Sequence, residues 1–216
     1  LAEAAPDLVY DPSVIRRDRG QAIFQKTFLE FSDSLLGGYR IPNGQKKIKE
    51  NARLFAHIEQ RFGVPAPVLA AFWGLESDYG ANFGKFRILP ALTTLAYDCR
   101  RSAFFTGHLL AALQLVDYGI ISSSTKGAMH GEIGHTQFLP GSVLKYGVDG
   151  DGDRRLDLAG SKQDALASTA NFLRAHGWRP GAGYQPGQPN FTAIQGWNAA
   201  SVYQQAIAIM AAEIDK

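Results

Sequence analysis

Glu76 is the side chain in this sequence whose type and placement most narrowly define a chemistry. In VLAAFWGLESDYG (Val68 to Gly80), Leu69, Phe72, Trp73 and Glu76 recur at i, i+3, i+4 and i+7, one face of an α-helix. A face that carries Leu, Phe and Trp turns inward, and a carboxylate placed there loses hydration. Desolvation penalises the charged form, so the expectation is a carboxyl that stays protonated to a higher pH than usual. Such an acid can donate its proton to a leaving oxygen, as cleavage of a glycosidic bond requires. The competing reading puts Glu76 at a frayed helix end, in solvent or paired with Arg87, Arg100 or Arg101. Periodicity alone leaves both open. Asp78, two residues on, points elsewhere and reads as a helix-end surface or loop residue.

A second group has the spacing of a cation loop. In DGDGDRRLDLAG (149–160), Asp149, Asp151 and Asp153 stand at positions 1, 3 and 5 of an EF-hand-like pattern. Arg155 offers its carbonyl at position 7, Asp157 stands at 9, and Leu156 fills the apolar slot between them. Position 6 is Arg154 rather than Gly, and position 12 is Gly160 rather than a bidentate Glu. The two readings are a weak, structural Ca²⁺ site and an ion-free cluster of Asp-Gly turns. His108, His130 and His135 are not spaced as a metal set. No nucleotide-binding loop, zinc spacing or Ser-His-Asp arrangement is evident.

The elements that position these groups read as helices. DPSVIRRDRGQAIFQKTFLEFSDSLLGG has Ser13 as a candidate N-cap and Gly37-Gly38 as a stop, and PNGQKKIKENARLFAHIEQRFGVP is a second helix closed by Gly63 and Pro65. The helix of Glu76 follows, with Pro65 or Pro67 in its first turn. ALTTLAYD, RRSAFFTGHLLAALQLVDYG, SKQDALASTANFLRAHG (Ser161 as cap, Gly177 as stop) and NAASVYQQAIAIMAAEID are helix-like, whereas GWRPGAGYQPGQPN reads as a loop. Alternating strand patterns are scarce. The 216 residues are 45% hydrophobic and 19% charged, enough for a sizeable core in one large or two small domains. With 22 basic and 20 acidic residues the net charge is +2, which argues against nucleic acid as a partner. The single Cys99 rules out an internal disulfide framework, and no apolar run approaches the roughly 20 residues of a membrane span. The opening LAEAAPD lacks Met and a signal-like apolar region, which points to a presequence removed upstream.

The segments FWGLESDYGANFGKFRILPALTTLAYDCRRSAFF, GEIGHTQFLPGSVLKYGVDGDGD, DALASTANFLRAHGW and IQGWNAASVYQQAIAIM occur in that order. Together they resemble the lytic murein transglycosylase B family of bacterial cell-wall enzymes, over nearly the whole chain. The resemblance implies a mainly α, lysozyme-like catalytic domain spanning residues 1–216. Within it, about 1–62 would form an accessory N-terminal helical layer and 63–216 the core, with loop 149–160 inside it. It implies cleavage of the β-1,4 bond between N-acetylmuramic acid and N-acetylglucosamine in peptidoglycan strands, without water. The muramic acid's own C6 hydroxyl attacks C1 and leaves a 1,6-anhydro ring. Glu76 matches the family's lone catalytic acid and base. One carboxyl suffices because the nucleophile is already tethered to the sugar, whereas ordinary glycosidases flank the bond with two.

The same resemblance points to substrate-binding residues. Gln137 matches the glutamine of the substrate-lining Q-F-[ML]-P motif, its alternative being a buried amide that caps the helix after Pro140. Arg100 and Arg101 match an R-R pair suited to lactyl or peptide carboxylates, or else are two helix-start arginines in solvent. Trp197 and Asn198 match a [YW]-N pair, where a ring could stack on a sugar and an amide orient it. Tyr203, in a helix at apolar spacing, reads as core. G-E-I-G replaces the family's G-A-M-G, so Glu132 is either a carboxylate paired with His130 or His135, or a second acid that reopens hydrolysis. Ala128 and Phe172 stand where some members have Ser and Tyr. The family often carries a Ca²⁺ loop at 149–160, but no cofactor is expected to be required. A monomer with a periplasmic address is expected. The rival readings are a muramidase or chitinase-like hydrolase using Glu76 with Asp78 or Glu132, a non-catalytic glycan-binding module, and a calcium-switched adaptor.

Overall fold

The computed structural model describes residues 2–20 and 38–216. In chain order the described elements are a 3₁₀ turn (Ala2–Asp7), α1 (Pro12–Arg19), α2 (Arg40–Glu50), α3 (Ala52–Phe62) and α4 (Ala66–Ser77). β1 (Phe86–Arg87), α5 (Ile88–Tyr97), α6 (Ser102–Asp117), β2 (Lys126–Gly127) and α7 (Pro140–Tyr146) follow. The chain closes with α8 (Lys162–Ala175), α9 (Phe191–Gln195) and α10 (Ser201–Ile214). The fold is mainly α, as the helical patterns require, and the strands among the described residues amount to one antiparallel pair, Phe86 with Gly127 and Arg87 with Lys126.

Local chemistry explains the boundaries, including two that differ from expectation. Asp11, not Ser13, caps α1: its carboxylate accepts from Ser13 N at 2.8 Å, and Pro12 takes the first helical position, where no N–H is needed. The helix ends at Gly20, and its expected continuation toward Gly37 lies outside the described residues. The helix expected through KKIKENARLF is two helices. Asn51 donates its side-chain amide to the Lys47 carbonyl at 2.8 Å, and such local side-chain bonding competes with the helical ladder. Gly63 in the left-handed region closes α3, and Pro65 precedes α4.

The chain divides into two compact units interleaved in sequence. One comprises Leu1–Gln21 with Asn82–Ala165, the other Ala22–Ala81 with Leu166–Lys216. In the first, α5 packs on α6 and α1, and α6 on α7, around buried Ile88, Leu92, Leu95, Phe105 and Leu115. In the second, α4 lies between α2 and α10, and every residue from Val68 to Gly74 is buried. Removing Leu69 and Phe72 from water stabilises this unit by roughly 1.5–3 kcal/mol per side chain. Gly74 sets the approach of α10, because a Cβ there would stand 2.7 Å from both Met210 Cε and the Tyr79 ring. That contact seats the last turn of α4, with Glu76, against the helix that carries Tyr203.

Candidate functional site

Glu76 occupies the last turn of α4, half-buried. Its Oε1 accepts two hydrogen bonds, from the Trp197 indole Nε1–H at 2.6 Å and from the Tyr203 hydroxyl. The Trp197 ring is held between Phe72, with centroids 4.9 Å apart and planes tilted by 58°, and Phe172, edge-on at 4.9 Å. Both donors are permanent. An indole N–H does not titrate in the working range, and burial, then the charge of Glu76, pushes the Tyr203 hydroxyl well above the ordinary value of 10. Oε1 is therefore always an acceptor, and a proton carried by this carboxyl resides on Oε2. The two donors favour the carboxylate and so oppose the effect of burial. The neighbouring Asp78 ends α4 in the left-handed conformation (φ 54°) and accepts from the Tyr39 hydroxyl at 2.6 Å, with the Arg40 guanidinium 3.8 Å away.

The position of Trp197 differs from a sugar platform reached only by its ring face, because its N–H is committed to Glu76. Asn198 turns its side chain inward on its own segment: Oδ1 accepts from Ala200 N at 2.9 Å, and its carbonyl accepts from Gln204 Nε2 at 2.7 Å. Tyr203 reads as core from its spacing, and the structure corrects that reading. Its ring is half-buried and its hydroxyl ends on Glu76. The available signal was the phenol itself, lying in an otherwise apolar segment, since a buried tyrosine hydroxyl requires a partner.

The remaining candidates belong to the other unit. Gln137 sits at φ 52°, in the left-handed region that a non-glycine residue rarely adopts, within a turn closed by the Ile133–Phe138 bridge. Its amide donates back to the Gly134 carbonyl at 2.8 Å instead of capping α7. Arg100 and Arg101 both reach Asp18 of α1, at 2.5 and 2.6 Å, and Arg100 also bridges Asp98. His130 Nε2 lies 2.9 Å from Asp18 and Nδ1 lies 3.1 Å from Glu132, whose other oxygen accepts from the His130 backbone N–H. The Asp18 side chain is 2% exposed. Burial raises its carboxyl, and the His130 and Arg100 hydrogen bonds more than offset this, leaving it lowered. Glu132 is thus a partner of His130.

This cluster makes stability depend on pH. Burial pushes His130 down, but Glu132 and Asp18 more than offset it, so its folded-state pKa lies above 6.5. A raised pKa contributes stability that is complete below the unfolded value and is lost as pH rises through the folded one. Urea unfolding of wild type and His130→Gln should therefore differ most near pH 6 and converge toward pH 9. Curves that separate further at alkaline pH would contradict the assignment.

In loop 149–160, ligand oxygens of Asp149, Asp151 and Asp153 lie within 4.8 Å of one another. Asp149 accepts from the Gly152 and Arg154 amides at 2.6 and 2.8 Å. Asp157 accepts from Ala159 and Gly160, the position without a side chain. Buried Asp164 supports the loop from behind, accepting from Gly150 N and Asp157 N at 2.8 Å. An all-oxygen donor set of this kind suits a hard cation.

The family described as transglycosylase SLT domain matches residues 1–187. Membrane-bound lytic murein transglycosylase B of Escherichia coli (strain K12) is 37% identical over 140 residues, which are 61% of this chain and 38% of that protein, so the match spans well under half of the relative. SltB3 from Pseudomonas aeruginosa, solved in complex with NAG-anhNAM-pentapeptide, superposes with a TM-score of 0.91 at 29% identity, over 99% of this chain and 73% of that one. The lytic transglycosylase Slt35 of Escherichia coli, solved in complex with calcium, superposes with a TM-score of 0.84 at 25% identity, over 95% and 83% of the two chains. The helical fold is accordingly the lysozyme-like one of these enzymes, and the chain belongs to the transglycosylase SLT domain family.

Proposed function

We propose that this chain is a peptidoglycan lytic transglycosylase that cleaves the MurNAc-β-1,4-GlcNAc bond and leaves 1,6-anhydro-MurNAc ends. The observation that carries the reading is the Glu76 carboxyl, half-buried, with Oε1 pinned by Trp197 and Tyr203. Pinning one oxygen leaves Oε2 as the proton carrier. It first protonates the glycosidic oxygen; then, as carboxylate, it takes the proton of the C6 hydroxyl while that oxygen bonds to C1. The proton given to the leaving sugar is replaced by the one taken from the nucleophile, so a single group completes the cycle. The anhydro sugar in the ligand of SltB3 has the chemistry of this product.

Within the same reading, Gln137 and Asn198 offer amides to the substrate, Arg100 and Arg101 offer guanidinium edges, and Glu132 offers a carboxylate. Each already holds a bond within the protein, so each would meet substrate with its remaining hydrogen-bonding capacity. The enzyme is assigned to the periplasm and acts as a monomer. No helix among the described residues is long and apolar enough to cross a membrane. Mass spectrometry of purified sacculi after digestion tests the activity. Muropeptides one water lighter than reducing-ended ones support it, and reducing-ended products would establish a hydrolase instead.

Calcium belongs to this proposal as a structural ion. Asp149, Asp151 and Asp153, with the Arg155 carbonyl and Asp157, would hold it, and it would tie the loop together without taking part in proton transfer. Arg154 at φ 69° and the missing position-12 carboxylate make the site weak. Ca²⁺ added to chelator-stripped protein should raise Tm by about 2 to 4 °C for each kcal/mol of binding. Asp149→Asn combined with Asp153→Asn should remove the rise, and wild type without any rise would exclude the site.

A further inference from the structure

Beyond the donors that touch Glu76, the rings that hold Trp197 have a neighbour of their own. His176, just past the end of α8, stacks on Phe172 with centroids 3.9 Å apart and planes 21° from parallel. Its Nδ1 stands 2.7 Å from the Phe172 carbonyl, which can only accept, so Nδ1 carries the hydrogen. Gly196 lies against the same imidazole: a Cβ there would stand 2.7 Å from His176 Cδ2. Gly196 immediately precedes Trp197, and Phe172 is the ring that meets Trp197 edge-on.

We infer that His176 is a positioning residue for the Trp197 indole, acting as a spacer with its ring wedged between Phe172 and the Gly196 backbone. Two constraints on the indole pass through this one ring. The stack fixes the plane of Phe172 and hence the edge on which Trp197 rests. The contact with Gly196 fixes how near the chain entering Trp197 comes to α8. Without the spacer, Phe172 and the 196–197 backbone close toward each other, and the Nε1–H that ends 2.6 Å from Glu76 Oε1 swings off its acceptor. Glycine at 196 follows from the same geometry, since any side chain would displace the imidazole.

The inference rests on the acid–base role proposed for Glu76, so its test needs a readout that does not depend on turnover. The chain has three tryptophans, and their indole N–H signals separate in a ¹H–¹⁵N spectrum, with Trp197 assigned by Trp197→Phe. In His176→Ala and in Gly196→Ala, the Trp197 indole signal should move toward its position in Glu76→Gln, where the charged acceptor is gone. On sacculi, kcat should fall by about tenfold or more with KM within about twofold, as a misplaced catalytic constellation predicts. His176→Phe keeps a stacking ring without Nδ1–H and should recover most of both losses. An indole signal that stays at the wild-type position in His176→Ala, with kcat unchanged and only Tm lowered, would overturn the inference. If the wild type yields no anhydro product, the catalytic reading fails, but the indole signal still decides whether His176 positions Trp197.

Discussion

Glu76→Gln should lose about 10³-fold or more in the rate of anhydro-muropeptide release from sacculi, with its fold and Tm close to those of wild type. General acid or base catalysis is each worth about 10² to 10⁴-fold, and one carboxyl here is asked to serve as both. Gln keeps the size of the side chain and an oxygen that can accept from Trp197 Nε1–H and Tyr203 OH, so the site retains its packing while losing the group that exchanges a proton. The loss should fall on kcat, because strand binding draws on groups the substitution leaves alone. Full activity in Glu76→Gln would end the acid–base assignment. A non-catalytic glycan-binding module makes a different prediction: wild type and variant would bind sacculi equally and neither would release product. A hydrolase would lose activity in the variant as well, but the wild-type products would carry reducing ends.

The helical architecture was legible because it rests on local signals. Apolar spacing, Gly63, Pro65, Ser161 and Gly177 mark boundaries that depend on a few neighbouring residues. Where local chemistry was misjudged, the error was equally local: a carboxylate two residues earlier caps α1, and one asparagine amide divides α2 from α3. The site was less legible. The spacing of Leu69, Phe72, Trp73 and Glu76 suggested one inward face, yet α4 is buried from Val68 to Gly74 on all sides, so the face argument placed Glu76 among aromatics without revealing what it meets. Its partners Trp197 and Tyr203 lie 121 and 127 residues away, and no periodicity reports a contact over that distance. Asp18 is the same kind of omission. An aspartate in a charged helix reads as solvated surface, but it is buried beneath Arg100, Arg101 and His130, all contributed by segments more than eighty residues later. Long-range polar partners are set by the tertiary fold, and those are the contacts that tune the acid.

Tyr203→Phe and Trp197→Phe should each cost about 10- to 100-fold in kcat and should move the alkaline limb of the pH–rate profile upward. The magnitude follows from a hydrogen bond to a charged group, worth about 1.5 to 3 kcal/mol, at about 1.4 kcal/mol per factor of ten in rate. The direction follows from which form of Glu76 the donors favour. Both give their hydrogens to Oε1, both persist at every working pH, and both stabilise the carboxylate over the acid. Removing either shifts the balance toward the protonated form, so the acid needed for the first step survives to higher pH while the base needed for the second is formed less readily. Activity therefore falls at neutral pH even as the alkaline limb moves up. In a cycle with Glu76→Gln the effects should be far from additive, because donors that act only through the carboxyl have nothing left to tune once it cannot ionise. A limb that stays in place or moves down would mean that the two rings hold Glu76 in position without setting its proton affinity. Full additivity with Glu76→Gln would mean that they act on the substrate and not through Glu76.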